Sequence, residues 1–409
     1  MLKRIERLRP VIATLVVAVA LGGCSDFLTV QNPGPIEDSK LQTVEAVSGF
    51  VTGMSGDLSN ALDEVVRISG IASDELAHGG SYAGEPLWYR GIIKPEDINT
   101  QWSLMQRARW VSENGIVRIK TLPGYVYDTD PLAARANLLA GFSNRMLGEN
   151  LCQAVIDGGP AQSDSVHFQR AEGYFTEALR IKGTKLDSVT YAAYAGRASV
   201  RAALGNWTGA VADAQLVPAP LVYMAVFSAN SFRENNSLVQ ETWVRREFTV
   251  YNTQWAQVFG DPRVPWDTIY TAARKTQTGN DGSTPFFRQR KYVDLGADIP
   301  LVKGTEMLML RAEAALRNGD ITSTIALINL QRAQYKMAAL PTPATLAEAW
   351  KVLEKEYGAV VWIEGRRLWQ LRRWNATSVS NPSHSAFLDG RATCIPISRE
   401  ETQANPNLH

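Results

Sequence analysis

Histidine is scarce in this chain, cysteine scarcer, and neither sign of charge prevails. The four histidines are His78, His167, His384 and His409, and none sits at metal-ligand spacing from another His or Cys. The sequence holds no Gly-x-Ser-x-Gly elbow, no phosphate-binding glycine loop and no dinucleotide fingerprint. Lys and Arg number 42 against 41 Asp and Glu, which leaves no basic excess for nucleic acid. No apolar run beyond residue 23 is long enough to cross a bilayer as a helix. For glycoside hydrolysis the best carboxylate pair is Asp74-Glu75, but adjacent residues rarely face each other across a sugar. The expectation is therefore a protein without catalytic residues, metal or cofactor, and not an enzyme.

What is present starts at the N-terminus. Lys3, Arg4, Arg7 and Arg9 precede an eleven-residue apolar run, Val11 to Leu21, which ends in Leu21-Gly22-Gly23-Cys24. Basic, apolar, small residues and then Cys is the order of a bacterial lipoprotein signal peptide, and the run is too short to remain as a membrane helix. Residues 1–23 are read as the signal, Cys24 as the lipidated residue, and residues 24–40, with Pro33-Gly34-Pro35, as an extended leader. Acyl chains on Cys24 would hold the protein at the membrane surface. Removal of the signal takes four basic residues and one acidic residue, leaving 38 against 40. Cys152 and Cys394 remain, in a compartment where disulfides persist, and are read either as a disulfide or as two buried free thiols.

Residues 41–409 read as one large domain, mostly α. Apolar residues recur at helical spacing from Leu41 to Ile71, with a break expected near Gly53 and Gly56. Residues 72–100, with Gly79, Gly80, Gly84, Pro86 and Pro95, read as an irregular loop. Helix pairs are expected over about 104–215 and 305–375, the last helix running from Thr345 to Trp374. A short pattern recurs in them: Gly205-Asn206-Trp207, Gly319-Asp320-Ile321 and, less completely, Gly148-Glu149-Asn150. The glycine would end one helix, and small residues seven positions upstream (Gly141, Ala198, Ala312) would let the two helices cross closely. This is similar to the tetratricopeptide repeat, a helix pair that stacks into a superhelix. Between the two arrays, residues 216–304 form a loop-rich insert, with strand-like pieces at Thr242–Tyr251 and Phe286–Val293 and a loop at Thr276–Pro285.

The chain carries 11 Trp, 13 Tyr and 12 Phe. Trp102, Trp110 and Trp362 lie in helical patterns and read as packing residues, as does Trp207. Aromatic rings in irregular segments are better ligand candidates: Tyr82, Trp88 and Tyr89 in one loop, and Trp266, Tyr270, Phe286 and Phe287 in another, with Asn280 and Asp281 as polar partners. Such rings stack on the apolar faces of sugars while polar side chains take the hydroxyls. The charge cluster Glu364, Arg366, Arg367, Arg372 and Arg373 reads as an ion-pair network holding helix pairs together rather than as an anion site.

Three ordered blocks in the C-terminal third resemble the SusD/RagB family of outer-membrane nutrient-binding lipoproteins. They are Glu306 to Ala314 followed by Asn329 and Arg332; Leu353-Glu354-Lys355-Glu356 followed by Glu364 to Trp374; and Cys394 to Glu401 followed by Asn405 to Leu408. Where the family usually has Asp, this chain has Gln370. Weaker support lies in Cys24 to Leu28 and in Asp261-Pro262-Arg263. The resemblance implies a SusD-like helix-pair superhelix with a loop-rich ligand-facing lobe, anchored by lipid to the outer membrane and exposed at the cell surface. It also implies capture of a glycan, an oligosaccharide or a peptide, and its delivery to a SusC-like TonB-dependent transporter. The competing reading is a helical-repeat scaffold lipoprotein that assembles envelope proteins and binds no nutrient.

Overall fold

The computed structural model describes residues 41–273, 275–376 and 386–409. Cys24, the signal segment and the leader lie outside the described residues. Residues 41–46 are turn and the first residue of a helix, and they belong to a separate N-terminal unit; Val47 to His409 form one compact body. No described helix is long and apolar enough to cross a membrane.

The first helix, α1, runs unbroken through Ala46–Ala72. The expected interruption does not occur. Gly53 and Gly56 face outward with open space around them, while Val51, Met54, Leu58 and Leu62 bury the opposite stripe. A helical glycine costs about 1 kcal/mol relative to alanine, and burying one such stripe residue outweighs it.

The helix pairs follow as α2 (Asn99–Lys120), α3 (Pro131–Asn150), α4 (Ser165–Lys182), α5 (Ser188–Ala203) and α6 (Trp207–Gln215). After the insert come α7 (Gly304–Arg317), α8 (Ile321–Gln334), α9 (Leu346–Val360) and α10 (Arg367–Ala376). Consecutive helices from α2 to α9 pack on one another, and α6 packs on α7 to join the two arrays. The recurring Gly-Asn/Asp pairs are the turns between α5 and α6 and between α7 and α8. Gly205 and Gly319 adopt φ of +80° and +77°, a left-handed conformation that ends the first helix. The next residue caps the second helix: Asn206 accepts from the Gly209 amide and Asp320 from the Ser323 amide, each at 2.9 Å. Gly148-Glu149-Asn150 is not a third such turn, because Gly148 lies inside α3, where it makes room for the Phe168 ring.

Phe175 of α4 is the wedge of the first array. Its ring lies between Gly141 of α3 and Gly196 of α5, close enough that a Cβ at either glycine would fall 2.6 Å or 2.4 Å from ring carbons. The ring also meets Phe142 edge-on at 5.1 Å. A second, smaller core lies among α7, α8 and α9 and holds Met309, Ile328, Trp350 and Tyr357. Trp102 and Trp362 are core residues, and Trp207 is half-buried beneath the Arg317 guanidinium at 4.4 Å. Trp110, expected to pack, is instead 52% exposed.

The insert is closed at its base by antiparallel pairing of Val222–Ala225 with Ile299–Lys303. Within it, Trp266–Thr268 pairs with Phe287–Gln289. The expected strand at Thr242–Tyr251 is largely absent. Gln240–Val244 forms a π-helical turn, with Thr242 Oγ1 donating to the Leu238 carbonyl at 2.6 Å, and only Phe248–Thr249 is strand, paired with Ala77–His78. Cys152 and Cys394 form a disulfide that ties the end of α3 to the C-terminal segment, beside the Leu151–Ile395 bridge.

The expected continuous helix Thr345–Trp374 is two helices. It breaks after Val360, where Ile363 and Gly365 take φ of +47° and +71° and the turn presses on Val65 and Val66 of α1. The break aims a run of charges in several directions. Arg366 pairs with Glu149 of α3 and Glu306 of α7, both at 2.8 Å. Arg367 binds Asp74 through two nitrogens at 2.8 and 2.7 Å. Arg373 reaches Glu313 of α7 at 2.6 Å, and Glu364 takes Lys291 of the insert at 2.5 Å and also Lys303. All but Lys291 are buried. Burial alone would raise the Glu364 carboxyl, but Lys291 and Lys303 hold it below the usual carboxylate range.

Glu75 joins this centre by accepting the Ile363 amide at 2.5 Å, while its second oxygen is buried without a partner. Burial, only partly offset by that amide, pushes its pKa up to about 8. Two outcomes follow from this packing. Phe175→Ala should destabilise the protein by about 3–5 kcal/mol in denaturant unfolding, as expected for an aromatic cavity. Because the folded pKa of Glu75 lies above its ordinary value, its contribution is full at acid pH and is lost as pH rises toward about 8. Glu75→Gln should remove that loss, so the stability of the variant relative to the parent rises between about pH 5 and pH 8 in thermal melts taken across that range.

Candidate functional site

The break between α9 and α10 places Arg367 under a cleft of about 590 Å³. The cleft opens beside the C-terminal end of α1, the one-turn helix Glu85–Tyr89, segment 252–254 and the turn near Phe387. Tyr89 and Phe387 supply aromatic surface; Asp74, Asn252, Gln254 and Arg391 supply hydrogen-bonding groups. These groups are already organised. Arg367 and Gln254 both bind the Asp74 carboxylate. Asn252 donates to the Tyr89 hydroxyl at 3.1 Å. Arg391 donates to the Tyr89 carbonyl at 2.6 Å and lies 4.4 Å over the Phe387 ring. A ligand would thus meet side chains held in place before it arrives, which lowers the ordering cost of binding. Of the Asp74-Glu75 pair only Asp74 reaches the cleft, and it is committed to Arg367; Glu75 is fully buried.

Segment 252–254 leads directly to a second feature, a row of four rings. Phe259 meets Trp266 edge-on at 5.2 Å, Trp266 stacks flat on Phe287 at 4.9 Å, and Phe287 meets Tyr251 edge-on at 5.3 Å. The pairing of strands 266–268 and 287–289 brings Trp266 and Phe287 together, and the Trp266 indole donates to the Trp255 carbonyl at 3.1 Å. The ends of the row are the accessible part: Phe259 is 77% exposed and Tyr251 38%. Tyr270, 62% exposed, stands further along the same chain segment.

Tyr82 and Trp88 line a different cavity, of about 660 Å³. Its walls are charged, with Asp63, Glu85 and Glu241 opposite Arg67 and Arg245. Burial pushes Asp63 and Glu241 up to about 7 and Glu85 to about 8. Trp88 is itself buried, and Tyr82 carries the Arg245 guanidinium 5.7 Å from its ring centre.

The seven aromatic candidates therefore divide. Trp266 and Phe287 are brought into contact; Tyr89 lines the cleft; Tyr82 and Trp88 line the acidic cavity; Tyr270 is exposed. Phe286, just before strand 287–289, is fully buried and out of reach of any ligand, while its neighbour Phe287 takes the outer side. Asn280 and Asp281 are committed to structure. Asn280 donates to Glu247 at 2.6 Å, and Asp281 closes its own turn by accepting the Ser283 and Thr284 amides at 2.9 Å. Reasoning from sequence missed Tyr251, Phe259, Asn252, Gln254 and Phe387. Tyr251 and Phe259 flank the buried Trp255 in an aromatic-rich stretch, which was the available signal.

With this geometry in view, the comparisons with known proteins are consistent. Residues 240–407 match the SusD family model. A SusD-like carbohydrate binding protein from Bacteroides vulgatus superposes with a TM-score of 0.67 at 15% identity, covering 90% of this chain and 97% of that one. A SusD superfamily protein from the same species gives 0.68 at 12% identity, covering 90% and 98%. NanU of B. fragilis gives 0.65 at 12% identity, covering 90% and 96%. No curated protein matches the chain in sequence. At such identities the superpositions speak for the fold, a tetratricopeptide-like helix-pair architecture. Joined to the match of residues 240–407, they show a SusD-like fold over most of the chain and a likeness to the SusD family in its C-terminal part.

Proposed function

We propose that this protein is a lipid-anchored, surface-exposed binding protein of the outer membrane that captures glycans and hands them to a SusC-like TonB-dependent transporter. The observation that carries the reading is the cleft at Tyr89 continuing, through segment 252–254, into the four-ring row at Tyr251, Phe287, Trp266 and Phe259. Sugars present apolar C–H faces edged with hydroxyls, and this surface offers rings next to amide, guanidinium and carboxylate groups. Relatives of the same fold include a protein described as carbohydrate-binding. Residues 41–409 act in this reading as one binding domain, with Cys24 as its tether. Lipidation at Cys24 and the transporter partner rest on the signal pattern and on the resemblance to the family.

Titration calorimetry of the unlipidated protein against a panel of oligosaccharides tests the ligand class. Phe259→Ala should weaken the bound glycan by about 1 kcal/mol or more, roughly fivefold in Kd. Unchanged affinity in Phe259→Ala and in Tyr89→Ala would remove both rings from the site. Cys24→Ser should release the protein from the outer membrane and abolish uptake while leaving its thermal unfolding unchanged. Recovery of the wild-type protein from solubilised membranes without any β-barrel partner would count against the transporter assignment.

A further inference from the structure

Three chain segments bring His78, Glu85 and Glu247 together. A ring nitrogen of His78 and one carboxylate oxygen each from Glu85 and Glu247 lie within 4.8 Å of one another. His78 ends the short strand Ala77–His78, which pairs with Phe248–Thr249 next to Glu247. Glu85 opens the one-turn helix that ends in Tyr89. Glu247 is held in place, its Oε2 accepting the Ser81 amide at 2.7 Å and its Oε1 accepting Asn280 at 2.6 Å and the Ser81 hydroxyl at 3.3 Å. This clasp needs Gly80, because a Cβ there would sit 1.8 Å from Glu247 Oε2.

The other two members are unfinished. His78 Nε2 and Glu85 Oε2 are buried with no hydrogen-bond partner. Glu85 is only 3% exposed, and the cation that faces it, Arg67, is 3.7 Å from its other oxygen. Glu64, Glu241 and Glu247 add negative charge around it, and Arg245 pairs with Glu241 at 3.8 Å. A buried carboxylate oxygen without a partner costs several kcal/mol. One divalent cation would satisfy it and the imidazole nitrogen together.

We infer that His78, Glu85 and Glu247 form a binding site for a divalent transition-metal cation of the zinc class. The donor set decides the class. An imidazole nitrogen with two carboxylates suits zinc, whereas calcium takes six to eight oxygens. In a tetrahedral zinc site the ligand atoms stand about 3.4 Å apart, so the present separations close by small rotations of His78 and Glu85, each of which has one buried polar atom that holds no other bond. Three protein ligands leave a fourth position for water. The cation would staple the Glu85–Tyr89 helix, and with it the Tyr89 wall of the cleft, to the insert at Glu247. This site is independent of whether the cleft binds glycans.

The full mature chain, stripped with chelator, is dialysed against zinc and against calcium, with metal content and thermal unfolding as readouts. The expected result is one zinc per chain, a higher unfolding temperature with zinc, and affinity weakened at least tenfold in His78→Ala and in Glu85→Gln. Cobalt(II) bound to the unaltered protein should give the visible absorption of a low-coordinate nitrogen and oxygen site, which tests the assignment without any substitution. Absence of stoichiometric zinc, zinc binding that His78→Ala leaves unchanged, calcium bound equally well at this site, or a cobalt spectrum like that of the free aqueous ion would each overturn the inference.

Discussion

A buried ion-pair centre at residues 364–373 is the constraint on which the rest of this structure hangs. Within ten residues the chain sends charged groups to α3 (Glu149), to α7 (Glu306, Glu313), to the end of α1 (Asp74) and to the insert (Lys291, Lys303). Apolar contacts alone would let neighbouring helix pairs slide, because dispersion and burial have little directional preference. Two-nitrogen contacts from Arg367 to Asp74 do not tolerate sliding. The gain is in position more than in stability, since buried pairs seldom outperform an apolar replacement of the same shape. It exists only because Ile363 and Gly365 break the α9–α10 run; an uninterrupted helix would spread these side chains evenly around one axis.

That constraint reaches the candidate site directly. Arg367 holds Asp74, Asp74 holds Gln254, and Gln254 lies two residues after Asn252, which holds the Tyr89 hydroxyl. The cleft is thus built from loops, yet its groups are fixed from beneath by a rigid helix junction. This is how loop-borne binding residues acquire defined geometry without a continuous secondary-structure frame.

Much of this was legible in the sequence where local chemistry dictates the outcome. Gly205-Asn206 and Gly319-Asp320 each encode a left-handed end and a side-chain cap, so their turns were readable. The charges of Glu364 to Arg373 were correctly read as an ion-pair network. What escaped depends on partners distant in sequence. Gly53 and Gly56 look like helix breakers until the buried stripe opposite them is counted. The α9–α10 break has no local cue beyond one glycine, since Val65, Val66 and Glu75 enforce it from α1 and just beyond. Phe286 precedes a three-residue strand and is buried, whereas Phe287 opens it and meets Trp266, and composition cannot tell two adjacent Phe residues apart. His78, Glu85 and Glu247 share no motif spacing because a strand pairing, not a single helix face, brings them together.

Under the proposed function, the ring row also limits what the site can recognise. Trp266 and Phe287 cover one face of each other, leaving the outer rings of Phe259 and Tyr251 as the accessible surface. Stacking on such rings is tolerant, because most sugars offer an apolar face of similar width. Discrimination must then come from groups whose burial by the wrong ligand would leave them unpaired. Such groups stand in the cleft, where Arg391 Nε is buried without a partner and the hydrogen-bonding capacity that Asp74 and Gln254 do not spend on the protein loses solvent when a ligand covers it. Rings would supply general affinity for extended chains, and the cleft would decide which residue of the chain is held.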